Sequence, residues 1–169
     1  MPVTLDHVAF MRVALELARE AGAREEIPVG AIVVHHPVGG QQRVIGRGFN
    51  LRERECDPSA HAEIVAMREA GRALGYWRLV DCTLYVTLEP CPMCAGAMVQ
   101  GRLERVVYGA RDPKAGAVST LYQLCSDPRW NHRVEVVADV LADEAAALLR
   151  EFFAARRKSN VKGGTLSEE

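Results

Sequence analysis

The stretches "SAHAEIVAM" at residues 59–67 and "LEPCPMCAGAM" at residues 88–98 decide the reading of this chain. Each sets metal-binding residue types where an apolar, helix-forming run begins. In the first, Asp57 can cap a helix and Pro58 suits a first helical turn, so a helix is expected from about Pro58 to Ala70. In the second, "CTLYVTL" reads as a short apolar strand. Pro92 follows it and opens a further helix over "PMCAGAMVQG". His61 and Glu63 thus stand near one helix mouth, and Cys91 and Cys94 stand at another.

Working outward, Val8, Met11, Leu15 and Ala18 recur at helical spacing from about Leu5 to Ala21, which predicts a first helix ended near Gly22. "VGAIVVHH" and "RVIGRGF" read as two strands joined by "PVGGQQ" into a hairpin, whose tip should leave His35 and His36 solvated. "RVVYGA" and "RVEVVAD" supply two more strands, and a last helix spans roughly Asp143 to Arg157. This order predicts an α/β protein, a three-layer α/β/α sandwich around a five-stranded mixed sheet. One domain is expected over residues 1–158, and the polar, Gly-bearing residues 159–169 read as a flexible tail.

The chain has 169 residues, 49% hydrophobic and 25% charged, the balance of one ordinary globular domain. Its formal net charge of −1 gives no reason to expect indiscriminate attachment to nucleic acid or an anionic membrane, so any contact with nucleic acid must be local. Asp6, His7, Arg12 and Glu16 interrupt the first twenty residues, and no charge-free apolar run reaches the roughly 18 residues a membrane span needs. A cytoplasmic protein is expected. Five unevenly spaced cysteines suit a reducing compartment, with Cys56, Cys82 and Cys125 as fillers or free thiols.

Cys91 and Cys94 lie three apart on a first helical turn, so both sulfurs can face one point, where unpaired backbone N–H groups favour thiolate. Alone, a Cys-x-x-Cys leaves three readings open: a redox pair, half of a structural zinc site, or two buried thiols. His61 makes a third ligand. Cysteine with histidine favours zinc over a hard cation, and no second Cys-x-x-Cys or histidine pair completes a closed tetrahedron. A fourth position is therefore left for water, whose pKa zinc lowers from 15.7 toward roughly 7. Residues two apart on a regular helix point roughly 200° apart, so Glu63 can serve His61's metal only from the helix mouth. There it can take a proton from the water and deliver it to a ring nitrogen and then to a departing amine. Taken singly, it reads as a capping or surface glutamate.

The His-x-Glu and Pro-Cys-x-x-Cys set resembles the zinc-dependent cytidine deaminase superfamily. Together with "IPVGAIVV", "GFN", "DPSAHAEIVAMR", "RVVYGARDPKAGA", "NHRVEV" and "LADEAAALLREFF", it is similar to the bacterial tRNA-specific adenosine deaminases over nearly the whole chain. The resemblance implies a cytidine deaminase-like fold, one zinc ion per subunit and a homodimer. It also implies conversion of the wobble adenosine of a tRNA anticodon loop to inosine, with release of ammonia. Glu63 would be the catalytic proton shuttle.

For the substrate, the resemblance implies that Val29 lines the pocket and that Asn50 holds the base, although by position Asn50 is a plain turn asparagine. Backbone around Ala62 and Cys91 would bond the base or a developing oxyanion. Asp112, otherwise the head of an Asp-Pro turn, would accept from a ribose hydroxyl, and Lys114 would meet phosphate. "FFAARRK" offers Phe152, Arg156 and Arg157 to an RNA loop, with Phe153 and Lys158 beside them. Its plainer reading is core phenylalanine and a basic last turn that suits the helix dipole. The hairpin loop is longer than the family leads one to expect, and "SDPRWNHR" adds Arg129 and Trp130. Two competitors remain: a deaminase of a free base or nucleoside such as guanine or cytidine, and a non-catalytic protein that keeps zinc for folding.

Overall fold

Five strands pair in the order β2-β1-β3-β4-β5: β1 (Gly30–His35), β2 (Arg43–Phe49), β3 (Cys82–Leu88), β4 (Arg105–Ala110) and β5 (Glu135–Val137). The structure, a computed structural model, describes residues 5–163, with side chains as far as Ser159. β1 runs antiparallel to both β2 and β3, whereas β3, β4 and β5 are parallel. The helices are α1 (His7–Ala23), α2 (Ala62–Leu74), α3 (Pro92–Gln100) and α4 (Ala142–Gly163).

Residues alternate between two cores, as the period of two in a strand demands. Ala31, Val33, Leu84, Val86, Val106 and Tyr108 pack with α2 and α3, while Ile32, Val34, Tyr85 and Val107 pack with α1 and α4. Both faces of the sheet are covered, so β1, β3 and β4 are apolar at nearly every position. This is the expected three-layer sandwich, of the cytidine deaminase-like class. α2 rides directly on β2, because Gly46 and Gly48 lack side chains there. A Cβ on Gly46 would fall 2.2 Å from the Ala66 carbonyl oxygen, and one on Gly48 2.3 Å from that of Ala62.

Strand direction collects the site at one end of the sheet. β3 and β4 finish there because they are parallel. β1 starts there and β2 finishes there, each being antiparallel to its neighbour. Ile27 and Val29, Asn50, Leu88 to Cys91, and Arg111 to Ala115 are therefore neighbours, at the carboxyl ends of parallel strands where α/β sheets bind ligands.

Four local expectations need correction. α2 begins at Ala62 rather than Pro58, because the Asp57 carboxylate accepts from the Ser59 backbone and hydroxyl, both at 2.7 Å, and holds a turn instead of a helix. It runs on to Leu74, where Gly75 closes it in the left-handed conformation, φ 66°. α4 continues past Arg157 to Gly163, taking in residues 159–163 of the expected tail; residues 164–169 lie outside the described residues. Nor is the hairpin's first strand end solvated: His36 is buried with Nε2 2.9 Å from Thr83 Oγ1, and His35 is half-buried. His35 lies opposite Cys82 in the pairing with β3, and the His36 N–H donates to the Asp81 carbonyl just ahead of that strand.

Candidate active site

Two helix starts converge. His61 is the capping residue of α2 and Cys91 that of α3, both in extended conformation (φ −73°, ψ 152° and φ −76°, ψ 172°) and neither making a side-chain cap bond. Their side chains are thus free to meet one another. His61 Nδ1 lies 3.6 Å from Cys91 Sγ and 3.6 Å from Cys94 Sγ. In a tetrahedron with zinc–nitrogen and zinc–sulfur bonds of about 2.0 and 2.3 Å, the nitrogen–sulfur edge is roughly 3.6 Å. The donor set and its spacing fit a zinc ion, and His61, Cys91 and Cys94 are the group among the described residues that could hold one.

The electrostatics agree with a cation site. The Cys94 thiol donates to Cys91 and, with the adjacent imidazole, pulls the Cys91 thiol down to about 4, against the push of burial. Cys94 is correspondingly raised by Cys91 and by burial, and the Cys91 sulfur raises His61. A dication placed among them replaces the proton that Cys94 would otherwise keep.

Glu63 is the second residue of α2 and is 4% exposed. Burial pushes its carboxyl up to about 7, opposed by its own backbone N–H and by His61. A buried carboxyl near neutrality beside a three-ligand metal set can both accept and return a proton. Ala62, ahead of it, carries one of the helix's unpaired N–H groups into the same cavity.

The cavity measures about 410 Å³ and brings together Val29, Asn50, His61, Ala62, Glu63, Cys91, Asp112 and Lys114, all read from the sequence as site residues. Asp112 Oδ1 accepts from the backbone of Lys114 (2.9 Å) and Ala115 (3.2 Å), which makes the turn and leaves Oδ2 out of these bonds. The C-terminal residues divide. Phe153 and Leu149 line the cavity, whereas Phe152 does not: it is half-buried, 4.6 Å beneath the Arg156 guanidinium. Arg156 also donates to the Glu25 carbonyl at 2.7 Å and lies 3.6 Å from Glu53, and Arg157 is exposed.

Sequence reasoning passed over two glutamates. Glu26, 1% exposed, accepts from Asn50 Nδ2 and from the backbone N–H of Glu53 and Arg54. Glu89, 2% exposed, accepts from the backbone N–H of Asp112, Ser119 and Thr120 and from the Thr120 hydroxyl. Burial pushes the Glu89 carboxyl up, but these donors outweigh it and hold it below the ordinary carboxylate range. A charged residue closing the apolar strand "CTLYVTL" and touching Pro90-Cys91 was the available signal for Glu89. Glu26, in "EEIPVG", offered none beyond standing before a strand.

Similarity to known proteins follows the same lines. A family model of MafB19-like deaminases matches residues 5–157. The tRNA-specific adenosine deaminase of Bacillus subtilis is 48% identical over 149 residues, 88% of this chain and 89% of that protein. That of Haemophilus influenzae is 47% identical over 88% of this chain and 84% of its own. Among solved structures, a tRNA deaminase studied for A-to-I editing at the wobble position matches with a TM-score of 0.77 and 44% identity, covering 83% of this chain and 99% of that one. The guanine deaminase of Nitrosomonas europaea superposes as well, TM-score 0.76, at 27% identity over 91% of this chain and 87% of that one. The fold is common to both activities, so sequence separates them: with 48% identity on one side and 27% on the other, the chain belongs to the tRNA-specific adenosine deaminase family.

Proposed function

We propose that this protein hydrolytically deaminates the wobble adenosine of a tRNA anticodon loop to inosine and releases ammonia, in the cytoplasm, as a homodimer with one zinc ion per subunit. The observation that carries the reading is the junction of the His61, Cys91 and Cys94 ligand set with the buried Glu63 at the floor of a cavity sized for a base. Family membership supplies the substrate class. Bound by the three ligands, zinc supplies Lewis acidity and a water acidified toward neutrality.

The chain's own residues do the rest. Glu63 takes a proton from the attacking water at its carboxylate and passes it to a ring nitrogen of adenine as oxygen adds at C6, then takes the remaining hydroxyl proton and delivers it to the amine as the C6–N bond breaks, leaving a C6 carbonyl and free ammonia. Val29, with Ile27 and Leu88 beside it, gives the base apolar walls that exclude bulk water. Asn50 holds the base by its amide, and the Ala62 N–H faces developing charge at the floor. On the rim, Asp112 Oδ2 accepts from a ribose hydroxyl while Lys114 meets phosphate. Arg156 and Arg157 extend the contact along the loop, and Phe153, on the cavity wall, offers a ring for a base to stack on, with Phe152 behind it. Residues 5–158 act as one catalytic unit. The exposed Tyr76 and Trp77 just past the end of α2, beside the half-buried Ile64, support pairing with a second copy.

The test is incubation of zinc-loaded protein with an anticodon hairpin bearing adenosine at the wobble position, and separately with free guanine, cytidine and adenosine. Inosine is expected in the hairpin alone. Turnover confined to a free compound would replace this reading by a small-molecule deaminase. Sedimentation of the same samples reads the dimer, and a species of single-chain mass would remove it.

A further inference from the structure

We infer that Glu26 is a positioning residue that decides which way round the Asn50 amide meets the base. This rests on the deaminase reading above and adds to it a source of base recognition. Glu26 lies in the segment joining α1 to β1, 1% exposed, and faces three donors: Asn50 Nδ2 at 3.0 Å, Glu53 N at 3.0 Å and Arg54 N at 2.8 Å. The two backbone donors share Oε1, which leaves Oε2 to the amide. Because that oxygen is held from the other side, the carboxylate cannot turn away from Asn50.

An asparagine amide has two orientations related by a half-turn about its last bond, and the half-turn exchanges donor for acceptor. In an open turn both are available. Here one is closed: with its carbonyl oxygen toward Glu26, the amide would set acceptor against acceptor at hydrogen-bond distance inside a buried site. Nδ2 must face Glu26, so Asn50, itself 6% exposed and part of the cavity wall, offers the cavity Oδ1 and its second N–H in a fixed order.

That order has a complement in adenine. On its Hoogsteen edge the N7 nitrogen accepts and the neighbouring amine donates, and an asparagine amide pairs with both at once. In the product base an oxygen replaces the amine, and the same Oδ1 then meets an acceptor. Glu26 thereby favours the substrate base over the product base without touching either one.

The experiment compares kcat/KM on anticodon hairpins carrying adenosine or 7-deazaadenosine at the wobble position, in which a C–H replaces the N7 acceptor. Wild type, Glu26→Gln and Asn50→Ala are measured side by side, with zinc content and thermal midpoint recorded for each. The ratio of the two substrates cancels whatever the altered ring does to the chemistry itself. Asn50→Ala is expected to lower the adenosine preference about fivefold, the worth of one hydrogen bond. Glu26→Gln is expected to lower it by a similar factor, because its amide can face Asn50 either way. Equal slowing of both hairpins by Glu26→Gln would make Glu26 a strut for residues 50–54 only and overturn the inference. An unchanged ratio in Asn50→Ala would overturn it too, even were Glu26→Gln unable to fold. Wild-type protein inert on the adenosine hairpin is a separate result, and it would remove the deaminase reading beneath.

Discussion

Glu26 and Glu89 adjoin β1 and β3, the inner pair of the four strands β2-β1-β3-β4, and each accepts from the backbone of a loop that follows the neighbouring outer strand, Glu26 from the one after β2 and Glu89 from the one after β4. Glu89 gives all its bonds to residues 112–120, three of them to backbone N–H groups and one to the Thr120 hydroxyl. Glu26 gives two to backbone and the third to a side chain that faces the substrate space. A brace that ends on backbone determines where a loop lies; one that ends on an amide also determines which atoms the loop presents. The metal corner below needs neither. His61, Cys91 and Cys94 are carried by helix starts, whose geometry is set by the helices themselves.

The contrast between corner and rims is broken most severely at the corner. Cys91→Ala removes one of only three ligands, and zinc and activity should disappear together by metal analysis and hairpin assay; one zinc per chain retained would mean another residue ligates it. Glu63→Gln keeps the ligands and should keep zinc, yet lower kcat by about 10²–10⁴ through loss of the proton shuttle. Unchanged turnover in that variant with zinc bound would end the assignment.

The Glu89 rim should respond less and differently. Glu89→Gln leaves buried N–H donors facing an amide and should cost about 2 kcal/mol of unfolding free energy while raising KM for the hairpin several-fold. The adenosine to 7-deazaadenosine ratio should stay that of wild type, since this brace ends on no base-reading group. The donors hold the Glu89 carboxyl below its unfolded value. Its stabilisation is therefore complete above the unfolded pKa and is lost as pH falls through the folded one, so the gap between wild type and variant should close in acid. A gap that widened toward low pH would contradict the charged brace.

Arg156→Ala sets the lower end of the scale. Its partners Glu25 and Glu53 flank the Glu26 rim on an exposed surface, so stability should change by less than about 1 kcal/mol. KM for the hairpin should rise a few-fold at low salt and converge with wild type as salt is added. Identical KM at every salt concentration would confine Arg156 to strapping α4 against the rim.

The metal corner and β2, β3 and β4 were readable because their signals are local. "RVIGRGF", "CTLYVTL" and "RVVYGA" coincide with observed strands, since short β-prone runs and the turns that flank them act over a few residues. Helix boundaries were read less well where two local signals compete. Asp57 caps helices and also closes turns on its own backbone, and only the placement of α2 against Gly46 and Gly48 shows the second to prevail. Phe152 and Phe153 are equivalent in composition, and the pitch of α4 over the sheet end sends Phe153 to the cavity.

The order of residues alone, then, was enough for the three ligands, the carboxyl beside them and the apolar runs that make a covered sheet, because each depends on neighbours within a turn or a strand. Only the tertiary structure decided what Glu26 and Glu89 are for. Their partners lie 23 to 31 residues away, and no spacing rule links such positions until the antiparallel pair β1–β2 and the parallel pair β3–β4 bring them to one end of a sheet.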